Sequence, residues 1–92
     1  MNEKLIERKL REGVKRKGGL ALKFVSPGFT GVPDRIILLP SGKICFAEIK
    51  TTGEEPTPRQ QLVIEQFRDF GFQVEIIDSQ ESLTNFLTDE DF

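Results

Sequence analysis

Apolar residues recur at Leu5, Ile6, Leu10 and Val14 among charged neighbours. Spacings of three and four trace one face of a helix and predict α-helix from about Glu3 to Lys17, with Gly18-Gly19 as its stop. The pattern then changes. Leu20 to Val25 reads as a strand, and Ser26 to Pro33 as a loop rich in Gly and Pro. Arg35 to Leu39 and Ile44 to Lys50 are apolar runs joined by Pro40-Ser41-Gly42-Lys43, which predicts a hairpin. Their near-continuous apolar character predicts burial on both faces of a central sheet. Thr51 to Pro56 is a polar loop. Thr57 is the expected N-cap of a second helix, with Pro58 at its first position, where a missing N–H costs nothing. Leu62, Val63, Phe67 and Phe70 form its apolar stripe, and Gly71 ends it. Phe72 to Ile77 is a fourth strand. Asp78 or Ser79, with Glu81, is expected to open a last helix ending near Leu87. Thr88 to Phe92 is expected to fray. The predicted order is α-β-β-β-α-β-α, an α/β fold around a mixed sheet of about four strands. One domain spans residues 1–92, with no repeat or linker.

Composition narrows the chemistry. A chain of 92 residues with 37% hydrophobic content and eight Phe supports a modest core. One Cys excludes an internal disulfide and suits a reducing compartment. With one Cys and no His, a structural zinc site is excluded. No apolar run approaches the ~18 residues that span a bilayer, and the polar N-terminus is not a signal peptide. No membrane role is expected. The net charge of −2 argues against a nucleic-acid partner, but its distribution does not. Met1 to Phe24 holds eight Lys or Arg against three Glu, a net of +5, while Glu75 to Phe92 holds six acids and no base. A basic N-terminal helix can meet phosphates while the acidic tail faces away. Both runs can also be merely solvated faces.

The hairpin carries the chemistry. Paired residues in an antiparallel hairpin have numbers that sum to a constant. A turn centred near Ser41 and Gly42 therefore puts Asp34 opposite Glu48 or Ile49, roughly 5 Å away. Glu48 and Lys50, two apart on a strand, share a face. Two carboxylates and an ammonium then converge, which is the minimum set for holding a divalent metal and steering a water at a phosphodiester. Glu48 lies within the most apolar strand of the chain, where a carboxylate is costly unless paired or metal-bound. Mg2+ takes oxygen ligands, one or two of them carboxylates, and keeps several waters. Asp34 and Glu48 would supply the carboxylates to Mg2+ or Mn2+. Lys50 would orient or activate the attacking water and help stabilise the developing anion. The plain alternatives are a turn-capping Asp34 and surface charges at Glu48 and Lys50.

Pro33-Asp34, a spacer, then Glu48-Ile49-Lys50 resembles the signature of the PD-(D/E)xK nuclease superfamily. The wider series is Ile6-Glu7, Gly18-Gly19, Lys23-Phe24, Ser26-Pro27-Gly28, Gly31-Val32-Pro33-Asp34-Arg35, Glu48-Ile49-Lys50, Gln60 and Gly71. It resembles a VRR-NUC domain of the short, stand-alone phage and bacterial kind, from about Glu3 to Ile77. The resemblance implies a restriction-endonuclease-like core and a metal-dependent endonuclease on branched or structured DNA, with the Holliday junction as one substrate. It implies the Ile49 carbonyl as a further metal ligand and Glu7 as a third acid. Glu7 can instead pair with Arg11 one turn on, and Glu3 is a rival. The resemblance also brings Gln60 to the catalytic site, although Thr57-Pro58-Arg59-Gln60 is by itself a capping box. A bacterial or phage-infected cytoplasm is the expected location.

Lys15, Arg16 and Lys17, together with Arg35 beside Asp34, are the expected DNA contacts. Lysines near a helix C-terminus also suit its macrodipole. Phe29, in a loop with Phe24 and Val25, is expected at a homodimer interface. Such a dimer would present two symmetry-related sites to a four-way junction. Cys45 reads as a small buried apolar residue.

Overall fold

The computed structural model describes residues 1–89. Helix α1 (Glu3–Arg16) leads into β1 (Leu20–Lys23), followed by β2 (Arg35–Leu39), β3 (Lys43–Ile49), α2 (Pro58–Asp69), β4 (Gln73–Ile77) and α3 (Gln80–Thr88). The strands form a sheet in the order β1-β2-β3-β4. Strands β1, β2 and β3 are antiparallel neighbours, and β4 runs parallel to β3. That parallel step requires a crossover, and α2 provides it.

Each helix begins on a side-chain cap. The Asn2 side chain accepts from the Leu5 N–H at 2.9 Å. Thr57 and Gln60 form a reciprocal capping box. The α3 box pairs Ser79 with Ser82, not with the expected Glu81, because Ser82 occupies the third helical position. Thr88 is helical where fraying was expected. Glu90 to Phe92 lie outside the described residues.

Alternation along the strands divides the core into two layers. Odd positions Ile37, Cys45, Ala47, Ile49 and Ile77 pack with Ile6, Leu10 and Val14 of α1 and Leu83 and Phe86 of α3. On the other face Phe46 and Val74 meet Ile64 of α2, with Phe24, Ile36, Phe67 and Ile76 around them. Phe46 anchors this layer through edge-on contacts with Phe67 at 5.0 Å and Phe72 at 5.5 Å, which favour the ring quadrupoles. The expected two-sided burial holds for β3 from Cys45 to Ile49. Helix α2 leaves the row nearer the turn uncovered: Leu20 and Ile44, which flank Leu38 in register, stay exposed.

Strand β1 is shorter than predicted. Past Lys23 one more bond forms, from the Phe24 N–H to the Asp34 carbonyl at 2.8 Å, before the chain leaves the sheet. The loop that follows is seated against α2. Gly31 has a φ of +87°, and a Cβ there would lie 3.0 Å from Arg59 Cγ and 3.1 Å from Val63 Cγ2. Both the left-handed backbone and the close approach require glycine. Among the described residues no helix is long and apolar enough to cross a membrane.

Candidate active site

The hairpin register decides the position of the two carboxylates. Arg35 pairs with Ala47 and Leu39 with Lys43, so the same register carried one residue back puts Asp34 across from Glu48. Asp34 Oδ2 accepts a hydrogen bond from the Ile49 N–H at 2.9 Å. The aspartate at the mouth of β2 is thereby tied to the backbone between Glu48 and Lys50. Glu48 alternates with Phe46 and so points to the α2 side of the sheet; Lys50 follows the end of β3 and is near enough to bear electrostatically on Glu48.

Glu48 is fully buried, and neither carboxylate oxygen has a hydrogen-bond partner among the described residues. Its pKa is pushed up to about 8, first by burial and then by the Asp34 carboxylate, with Glu3 adding and Lys50 opposing. An ionised buried acid without a donor is costly; a proton, which lets Glu48 hydrogen-bond to Asp34, or a cation relieves the cost. The residues present fit a divalent cation. They offer two facing carboxylates, oxygen donors of the kind Mg2+ accepts together with water. Among the described residues no three His, Cys, Asp or Glu side chains converge on one point, so the side-chain donors at this spot are the two carboxylates.

Asp34 and Ile49 border a cleft of about 170 Å³ lined also by Glu3, Glu7, Lys23, Phe24 and Arg35; Glu48, fully buried, and Lys50 are not among its lining residues. Glu7 reaches it, but its carboxylate is engaged by the Arg35 guanidinium, not by Arg11. Arg35 is only 8% exposed and also donates to the Ala21 carbonyl at 3.4 Å. As an odd position in β2 it faces α1, where Glu7 meets it. The expected phosphate-contacting Arg35 is in the structure a buried clasp between α1, β1 and β2. Glu3, one turn before Glu7, is exposed at the cleft and bears electrostatically on Glu48. Lys23 was not singled out as a site residue by the sequence reading. It enters the cleft because β1 ends beside β2, with Lys23 opposite Arg35.

Other expected residues lie elsewhere. Gln60 Oε1 accepts from the Thr57 N–H at 2.9 Å, and Thr57 Oγ1 accepts from the Gln60 N–H at 3.2 Å. Gln60 thus closes the helix cap and does not line the cleft. Lys15, Arg16 and Lys17 sit at the far end of α1, where Lys17 lines a surface with Leu39, Pro40 and Lys43 of the hairpin turn. At 1.5 Å per residue, Lys15 is roughly 12 Å along the helix from Glu7. Phe29 is 43% exposed. The Arg59 guanidinium covers its ring at 4.9 Å and bonds the Thr30 carbonyl at 3.2 Å. Cys45 is buried, and burial pushes its thiol up to about 12, which makes it a poor nucleophile.

No family model matches the chain. A curated protein named "Putative nuclease p44", from Acyrthosiphon pisum secondary endosymbiont phage 1, is 48% identical over 81 residues, which is 88% of this chain and 87% of the phage protein. A solved structure described as "VRR_NUC domain" superposes with a TM-score of 0.89 at 29% identity, over 96% of each chain. The order of elements, the mixed four-stranded sheet and this likeness agree: the chain belongs to the VRR-NUC family, in its short phage-type form.

Proposed function

We propose that the chain is a Mg2+- or Mn2+-dependent endonuclease that hydrolyses phosphodiester bonds in branched or structured DNA, four-way Holliday junctions among its substrates. The observation that carries this reading is the Glu48 carboxylate, fully buried, without a hydrogen-bond partner, and facing Asp34. An acid buried in an apolar strand opposite a second acid adds nothing to stability when ionised. Membership of the family and the likeness to a named phage nuclease point to the same chemistry.

Asp34, Glu48 and the Ile49 carbonyl would hold the cation. When bound, it supplies Lewis acidity, lowering the pKa of a coordinated water and offsetting charge on the scissile phosphate. The protein groups do the positioning. The Ile49 N–H fixes the rotamer of Asp34. Lys50, near Glu48, would orient or activate the attacking water and stabilise the phosphorane as its charge grows. In-line attack forms the new P–O bond as the bond to the 3′ oxygen breaks; the attacking water gives up a proton to solvent and the departing 3′ oxygen takes one up from solvent, leaving a 5′-phosphate and a 3′-hydroxyl. Two copies related by a two-fold axis would give the paired cuts a four-way junction needs.

Cleavage of a panel of four-way, flapped, nicked and linear DNAs, with Mg2+ or Mn2+ and with excess chelator, tests the reading. Metal-dependent incision that favours branched substrates is expected. Binding without incision in either metal would instead favour a catalytically silent nucleic-acid-binding module on the same fold.

A further inference from the structure

The cleft has an approach built from α1. Lys4, Arg8 and Arg11 recur at intervals of four and three, so they form one stripe along the helix. With Asn2, Leu5 and Glu7 they line a shallow surface groove of about 460 Å³. Glu7 also lines the strand-end cleft, so the groove and the cleft adjoin at this one side chain. Lys4, Arg8 and Arg11 are exposed, and none has an ion pair among the described residues. The acid within the groove, Glu7, is already answered by Arg35 from beneath. Buried Arg35 therefore offsets the one acid among the groove's lining residues; Glu3 and Asp34 are the acids at the cleft. At the cleft itself Lys23 is exposed, likewise without an ion pair.

Given the nuclease reading above, on which this rests, we infer that the DNA backbone is led to the cleft along Lys4, Arg8 and Arg11, with Lys23 contacting phosphate at the cleft. The stripe is roughly 10 Å long at 1.5 Å per residue. Successive phosphates of one strand advance 3.4 Å along a duplex axis, so the stripe matches about three of them. The Lys15-Arg16-Lys17 run carries the same number of charges, but at the end of α1 away from Asp34 and Glu48.

The two sets can be compared directly. In a Glu48→Gln background, which keeps the DNA uncut, binding of a four-way junction is measured against salt. Lys4→Gln/Arg8→Gln/Arg11→Gln should reduce the slope of log K on log salt by about 2 to 3, at roughly 0.9 per phosphate contact. Lys23→Gln should reduce it by about one more. Lys15→Gln/Arg16→Gln/Lys17→Gln should reduce it by less than one. Gln is a good helix former, and a double Arg8→Lys/Arg11→Lys variant should restore the slope if charge is what matters. A larger loss in the Lys15 set than in the Lys4 set would overturn the groove while leaving the nuclease reading standing. Absence of both salt-dependent binding and metal-dependent cleavage in the unaltered chain would overturn that reading itself.

Discussion

Asp34 Oδ2 and the Ile49 N–H are 2.9 Å apart, so the first acid of the site is clamped by the backbone of the strand that carries the second. An amide oxygen can accept the same bond without the charge. Asp34→Asn should therefore fold, melt higher than the parent without metal above about pH 8, where Glu48 is ionised, and lose cleavage by a factor on the order of 10² or more, as removal of a preorganised transition-state contact does. Glu48→Ala should abolish cleavage, and Lys50→Ala should lower it by a similar factor. Full activity in purified Glu48→Ala would end the assignment.

Stability should depend on pH through Glu48. Its ordinary pKa of 4.5 rises to about 8 in the folded chain because of burial and Asp34. The folded state therefore keeps a proton that the unfolded chain gives up. The stability linked to that proton is fully present below about 4.5 and is lost as pH rises through about 8. Without metal, melting temperature should fall across that window, and Glu48→Gln should flatten the fall. Divalent metal should raise the melting temperature most at the alkaline end, since it binds only the folded state. A parent and a Glu48→Gln variant with parallel pH profiles would show that Glu48 is ionised in the metal-free protein.

Breaking the Glu7–Arg35 clasp should cost stability. Glu7→Ala leaves a guanidinium that is 8% exposed with only the Ala21 carbonyl at 3.4 Å. Loss of one partner from a buried pair costs about 3–5 kcal/mol. Glu7 is 40% exposed, and that exposure brings the expected loss nearer 2 kcal/mol. Denaturant unfolding of Glu7→Ala measures it. A loss under about 0.5 kcal/mol would assign the pair no structural weight.

Gln60 offers a clean separation of roles. As a cap, Gln60→Ala should cost about 1 kcal/mol, while Gln60→Glu should retain most of the box, because either residue serves there. Cleavage rates at a temperature well below melting should then be similar in Gln60→Glu and the parent. A large loss of rate in Gln60→Glu at unchanged stability would give the amide a place in catalysis.

The dimer proposed above is checked by light scattering at micromolar concentration. A mass near twice 10.5 kDa is expected for the parent, and a monomer for Phe29→Asp if the exposed part of that ring lies in the interface. A monomeric parent that still makes paired cuts would refute the dimer as the working unit.

Much of the fold was legible because its signals are local. The 3.6-residue period of Leu5, Ile6, Leu10 and Val14 places α1, and Thr57-Pro58 marks the start of α2 within one residue. The meeting of Asp34 and Glu48 also followed from short-range arithmetic, since a three-residue connection from Pro40 to Gly42 leaves little freedom of register. Sequence alternation even assigns Arg35 and Glu48 to opposite faces. What alternation leaves undetermined is which helix covers which face. Only the packed structure brings Glu7 of α1 onto Arg35, 28 residues away. It alone sets Lys23 at the cleft, puts the Lys15-Arg16-Lys17 run at the far end, and leaves Leu20 and Ile44 uncovered by α2. Those outcomes depend on long-range closure, where the entropy of joining distant segments is balanced by burial of two separate core layers, and no local pattern in the chain encodes that balance.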